Sequence, residues 1–170
     1  MQRHVFVRRS LRLRDYDYSK AGGYFTTITT HNRATLFGEL DLTTGSTRLN
    51  DAGKMIKHWW AELPQKFRTV TLDASVVMPD HFHGIVLLDC GSPESDPVSL
   101  SDVIHWFKTM TTAGYFRGVR DEGWPAVDRR VWQRSFYDHV IRSESDLEDI
   151  RRYIEGNPGA LWERYAGAGT

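Results

Sequence analysis

Apolar and polar positions change period several times along the chain, and each change marks an element. Tyr24 to His31, YFTTITTH, is β-branched and aromatic and reads as a strand, set off from what precedes it by Gly22-Gly23. A short hairpin is expected around Leu36–Glu39 and Thr47–Leu49, turning at Thr44-Gly45-Ser46. Asn50 or Asp51 caps a helix running to about Phe67, with Pro64 interrupting it near the end. Its Ala52, Met55, Ile56, Trp59, Trp60 and Leu63 recur at helical spacing, so that face is core. Val70, Leu72, Ala74, Val76 and Met78 then alternate with Thr71, Asp73, Ser75 and Val77 as a strand. Pro79-Asp80 makes a tight corner, and His81 to Leu88 is the returning strand.

The second half continues in the same way. CGSPESDPVS is a polar loop, after which Ser99 opens a helix with Asp102 three residues on, a variant of the capping box. Val103, Trp106, Phe107, Met110 and Gly114 line its inner face. Residues 119–130 read as loop, and Val131 to Ile141 as a last strand. Ser145 caps a final helix from Asp146 to about Gly156, with Glu148 at the box position and Pro158 as its stop. The order β, α, β, β, α, β, α predicts an α+β fold, an antiparallel sheet with helices packed on it.

Composition changes this picture little. A hydrophobic content of 40% and a charged content of 26% are those of an ordinary globular domain. The single cysteine, Cys90, excludes an intramolecular disulfide and a cysteine-rich zinc site, and points to a reducing cytoplasm. The basic start, MQRHVFVRRSLRLRDYDYSK, has no apolar stretch of a signal peptide, and no apolar run approaches the roughly 20 residues of a membrane span. Net charge is zero, which argues against a broad nucleic-acid surface, but the distribution is uneven. Arg3, Arg8, Arg9, Arg12, Arg14 and Lys20 crowd the first 20 residues, and Arg129, Arg130 and Arg134 form a second basic group. Patches of this kind grip phosphates locally, or are simply solvated surface.

Two segments carry candidate chemistry. In Met-Pro-Asp-His-Phe-His-Gly-Ile, His81 and His83 share one face of a strand and Phe82 the other. Two imidazoles at that spacing bind one metal ion, or sit half-buried and satisfied by carbonyls. Their place at a strand's mouth, after the Pro-Asp corner, favours the ligand role. On the last helix, Leu147, Ile150 and Ile154 make a buried stripe, and Tyr153 and Asn157 stack at i and i+4 if the helix holds that far. A tyrosine is a covalent nucleophile in some enzymes and ordinary packing in most helices. With a free pKa near 10 it needs help at neutral pH, from a metal holding the phosphate and from Arg151 or Arg152 nearby.

The segments VVMPDHFHGIVLL, WFKTMTT, VWQRSFYDHVIR and IRRYIEGNP, with the arm RRSLRLRDYDYSKAGGYFTT, together resemble the REP-associated tyrosine transposases. These belong to the single-tyrosine, His-hydrophobe-His insertion-sequence transposases. The resemblance spans essentially the whole chain. It implies a ferredoxin-like or RRM-like transposase sandwich, with a basic arm at 1–22, one catalytic domain at 23–165 and a Gly/Ala tail at 166–170. It implies that His81 and His83 bind a divalent metal, magnesium or manganese, and that Tyr153 attacks a DNA phosphate and becomes joined to the 5′ end. Asn157 stands where relatives carry a polar residue, often the longer Gln, as third ligand. The implied partner is hairpin-bearing single-stranded DNA, met by Arg8, Arg9, Arg12, Arg14, Gln133 and Arg134, in a cytoplasmic, nucleoid-associated monomer or homodimer. The tyrosine then serves its own chain's histidines or a partner's.

Rivals stay open at this stage. Tyr137 is an alternative nucleophile, or a core or DNA-stacking aromatic, and His139 is an alternative third ligand or a supporting group. Lys108 reaches a phosphate or is a solvated helix lysine. Two other functions compete with strand transfer: a domesticated, catalytically silent protein that binds structured single-stranded DNA through the arm and through Tyr16 and Tyr18, and a metal-dependent phosphodiesterase using water. The shortage of Asp and Glu around the histidines disfavours the last.

Overall fold

The computed structural model describes residues 22–41, 43–44, 46–89 and 98–166, with side chains up to Asn157. The arm with Arg8, Arg9, Arg12 and Arg14, the turn residue Gly45, and Cys90 in its polar loop lie outside the described residues. The chain runs β1 (Gly22–Thr29), β2 (Gly38–Asp41), β3 (Ser46–Leu49), α1 (Asp51–Ala61), α2 (Leu63–Lys66), β4 (Val70–Met78), β5 (His81–Leu88), α3 (Leu100–Glu122), β6 (Tyr137–Ile141) and α4 (Glu144–Ala166). Among the described residues β4, β5, β1 and β6 form one antiparallel sheet in that order, and β2 and β3 a separate hairpin. This is the expected α+β architecture. No described helix is long and apolar enough to cross a membrane.

The strand's period of two sorts side chains into two layers. Phe82, Val86 and Leu88 of β5 join Tyr24 and Ile28 of β1 in the larger core, against Ile56 and Trp60 of α1 and Val103 and Phe107 of α3. Ile85 and Phe25 face the other way and meet Ile154 of α4 in a smaller core, flanked by Val76, Leu87, Leu147 and Ile150. The helix caps follow the sequence reading. The Asn50 side chain accepts from the Gly53 amide at 2.9 Å, and Ser99 and Asp102 form a reciprocal capping box.

Several boundaries differ from expectation, each for a physical reason. Gly22-Gly23 lies inside β1 and does not break it: Gly23 sits between Leu87 and Ile141, where a Cβ would come within 3.2 and 3.3 Å of them. The alternation of β4 is interrupted by a bulge between Leu72 and Ser75, which pair with Val86 and Gly84. Val70, Leu72 and Val77 therefore serve the larger core, and Ala74 and Val76 the smaller. Residues 119–122 continue α3, which ends at Gly123 with φ of 71°, a left-handed cap. The last strand begins only at Tyr137. Before it, the Lys108 ammonium donates to the carbonyls of Gln133 and Arg134 at 2.6 and 3.0 Å, satisfying groups that a ladder would otherwise pair. Ser143, not Ser145, caps α4, accepting from the Asp146 amide at 3.1 Å. The helix also runs on through Pro158; a proline removes one intrahelical bond without obliging the helix to end.

Gly84 of β5 lies under the indole of Trp60, where a Cβ would stand 2.4 Å from that ring and 2.8 Å from Phe82. Gly84→Ala is expected to overpack this contact and destabilise the fold by about 1–3 kcal/mol. A urea unfolding midpoint equal to that of the parent protein would contradict the packing described.

Candidate active site

The turn before β5 is tied down by backbone groups from elsewhere. The amides of Leu36 and Phe37 donate to the Pro79 carbonyl, and the amide and hydroxyl of Thr30 both donate to the Asp80 carbonyl. From that fixed corner β5 sends His81 and His83 to the face covered by α4, their rings 4.7 Å apart and edge-to-face.

Both imidazoles are held by their Nδ1 atoms. His81 Nδ1 lies 2.5 Å from Asp80 Oδ1, and His83 Nδ1 lies 2.8 Å from the Thr27 hydroxyl on β1. Hydrogen bonds of this kind orient the rings of metal-binding histidines. The second oxygen of Asp80 accepts from the Arg33 guanidinium at 3.0 Å. Asn32 and Arg33 both adopt φ of 54°, uncommon for residues with a side chain, and present that guanidinium. Burial pushes the Asp80 carboxyl up, but its bonds to His81 and Arg33 outweigh this and leave it below its usual value. His83 is 4% exposed; that burial, aided by the neighbouring His81, lowers its pKa to about 3. It is therefore a neutral imidazole at neutral pH, the form in which a histidine can bind a metal.

α4 brings Tyr153 to the same place within one chain. Its ring is 5.4 Å from that of His83 and 5.9 Å from that of Phe25, which stacks on His83 at 5.4 Å. The tyrosine remains 52% exposed, so a solvent-borne ligand reaches it. The helix continues through Asn157, so the i, i+4 relation holds, and Asn157 is buried at 7% exposure. Among the described residues no group of three or more His, Cys, Asp or Glu could hold a metal. The face carries two imidazoles, with the buried Asn157 amide one helical turn beyond Tyr153. Nitrogen and amide-oxygen donors of this kind are chemically compatible with a divalent cation.

The other expected residues are placed as follows. Tyr137 is exposed at the register position opposite Thr27, its ring 6.5 Å from Phe25, on the far side of β1 from the histidines. His139 stands opposite Phe25, with its Nε2 taken up by Asp146 at 3.0 Å. Gln133 is half-buried, its amide on the Thr29 carbonyl, while Arg134 is exposed beside it. Lys108 is half-buried and donates to two backbone carbonyls, and burial lowers its pKa to about 8. Arg151 and Arg152, expected to assist the phenol, are engaged by Asp73 and Asp149. The sequence reading missed Thr27, Phe25 and the role of Asp80. The last was signalled by adjacency to His81, while the first two needed the pairing of β1 with β5.

Comparison with known proteins adds to this geometry. The profile described as Transposase IS200 like matches residues 47–157. An uncharacterized protein of Haemophilus influenzae is 32% identical over 94% of this chain and 92% of its own length. A candidate REP-associated tyrosine transposase of the same organism is 30% identical over 84% of this chain and 73% of its own. A solved structure of a REP-associated tyrosine transposase bound to a REP hairpin superposes with a TM-score of 0.58 at 26% identity, covering 88% of this chain and 73% of that one.

The depressed basicity of His83 has a measurable consequence. Between about pH 6.5 and 3 the unfolded chain takes up a proton at this position that the folded chain refuses. Stability should therefore fall as pH drops through that window. In chelator-treated protein, His83→Gln is expected to flatten the decline in thermal midpoint between pH 6.5 and 4. Parallel declines in the two proteins would show that His83 ionises normally when folded.

Proposed function

The chain belongs to the IS200-like transposase family and to its REP-associated tyrosine transposases, and on that footing we propose that it nicks and rejoins hairpin-bearing single-stranded DNA through Tyr153. The family makes it an enzyme of DNA cleavage and strand transfer. The observation that carries the finer reading is the half-exposed phenol of Tyr153 beside buried His83, within one chain, over the α4-covered face of the sheet.

In this reading His81 and His83 hold a divalent ion through Nε2, with the amide oxygen of Asn157 as third donor. When bound, magnesium or manganese supplies positive charge that polarises the scissile phosphate. The protein's own work is positional. Asp80 and Thr27 hold the two imidazole rings in orientation, and Phe25 backs both His83 and Tyr153. The phenol oxygen attacks phosphorus and gives up its proton to solvent. The P–O3′ bond breaks and the 3′ oxygen leaves as a hydroxyl. The new phosphotyrosine bond replaces the phosphodiester bond lost, so a 3′ hydroxyl attacking in reverse reseals a strand with no outside energy source. Exposed Arg134, half-buried Gln133 and the arginines at 8, 9, 12 and 14 are the proposed DNA contacts. The proposed organisation is one catalytic domain at 23–165, with a basic arm before it and a short tail after it.

Incubation with labelled hairpin single-stranded DNA and manganese, followed by a denaturing gel, should show a covalent protein–DNA adduct. Tyr153→Phe is expected to abolish it while DNA binding stays within about threefold, and Tyr137→Phe to retain it. Mixing Tyr153→Phe with His83→Ala should restore nothing, because each phenol serves its own chain's histidines. An adduct that persists in Tyr153→Phe would sink the assignment.

A further inference from the structure

α4 carries the nucleophile of the proposed reaction, yet its apolar hold on the sheet is small. Ile154 alone of its described apolar side chains is deeply buried, against Phe25 and Ile85, with Leu147 and Ile150 half-covered. A greasy contact of this size resists lifting of the helix but is non-directional, so it sets neither the helix's rotation nor its position along the axis. A slip of one helical turn, about 5.4 Å, would carry the Tyr153 ring away from His83 altogether.

A polar contact supplies the missing direction. Arg151, two residues before Tyr153, reaches across to β4 and forms a two-pronged pair with Asp73: Nε to Oδ1 at 2.9 Å and a terminal nitrogen to Oδ2 at 2.6 Å. Both partners are largely covered, at 31% and 18% side-chain exposure. The pair is built from both sides. Asp73 sits at the β4 bulge, with its Oδ1 also accepting the Ala74 amide at 2.7 Å. Arg151 is braced from its own helix by Glu148, with Glu144 at 3.7 Å. A planar guanidinium fork on a carboxylate fixes distance and angle together, which a lysine in its place does not.

We infer that the Asp73–Arg151 pair is the positioning device of the nucleophile, locking α4 so that Tyr153 stands over the histidine pair. Arg151 is thereby spent on the protein itself and is not a DNA phosphate ligand. The inference rests on the proposed role of Tyr153, but it makes a claim about geometry that stands apart from catalysis.

The test labels the protein with 3-fluorotyrosine and follows the fluorine resonance absent from the labelled Tyr153→Phe protein. In the parent protein that resonance is expected to be displaced by the rings of His83 and Phe25, 5.4 and 5.9 Å away. Asp73→Asn and Arg151→Gln are expected to move it toward the value of free fluorotyrosine. They should also slow adduct formation at saturating DNA at least tenfold, with DNA affinity within about threefold of the parent. Arg151→Lys should fall between. Resonances of the buried Tyr24 and Tyr115 report whether each variant is folded, and Arg151→Lys serves as the milder variant if the others are not. A Tyr153 resonance that stays put in the folded variants overturns the inference whether or not the protein cuts DNA. A loss of DNA affinity equal to the loss of rate overturns it too, by making Arg151 a DNA contact. A parent protein that forms no adduct, with the resonance shifts intact, would instead remove the proposed reaction and leave the lock standing.

Discussion

The antiparallel pairing of β1 with β5 is the constraint on which the rest depends. Its register sets Thr27 against His83 and Thr29 against His81, and it places Phe25 opposite Ile85. Because side chains alternate strictly, a slip of one residue would turn His81 and His83 into the larger core and expose Phe82 and Val86. Burial of that core, from Tyr24 through Phe82 to Phe107, is thus what keeps two imidazoles on the opposite face. The hydroxyl that aims His83 comes from the neighbouring strand, so the imidazole's orientation is a property of the sheet and not of the His-Phe-His segment.

Electrostatics follow from that placement. His83 loses its ordinary basicity because it lies inside a sheet–helix sandwich, stacked on a phenylalanine. Charge is confined to the rim, where Asp80 is shared between His81 and Arg33. The site is thus graded from a neutral interior to a charged corner and an exposed phenol. This suits a substrate that presents one phosphate to the interior while its remaining length stays in solvent. Zero net charge is compatible with a nucleic-acid substrate, since local clusters of charge can contact phosphates.

Most of the element order was legible in the sequence, because it rests on local signals: helical spacing in α1, the Ser99 capping box, the Pro79-Asp80 corner. Boundaries failed where tertiary contacts override local preference. Residues 131–136 have strand composition, but Lys108 takes the carbonyls. Pro158 reads as a stop, yet α4 passes it. In the site, His81, His83 and Tyr153 were legible as residue types at meaningful spacing, and their assembly within one chain was not. Thr27 is one of several threonines on β1, and nothing in YFTTITTH marks it as a histidine's partner. The pairing of Arg151 with Asp73 was not legible, because a partner 78 residues away leaves no local trace.

The bulge in β4 has an effect of its own. By inserting one extra residue between Leu72 and Ser75, it lets a single strand face the larger core at both ends and the smaller one in between. The strand is therefore in phase only at its present length. Substitutions along it trade one side chain for another, but losing or gaining a residue in that interval would invert Val76 to Met78 and deliver the Pro79-Asp80 corner upside down. Residue count here, more than residue identity, is the inherited quantity.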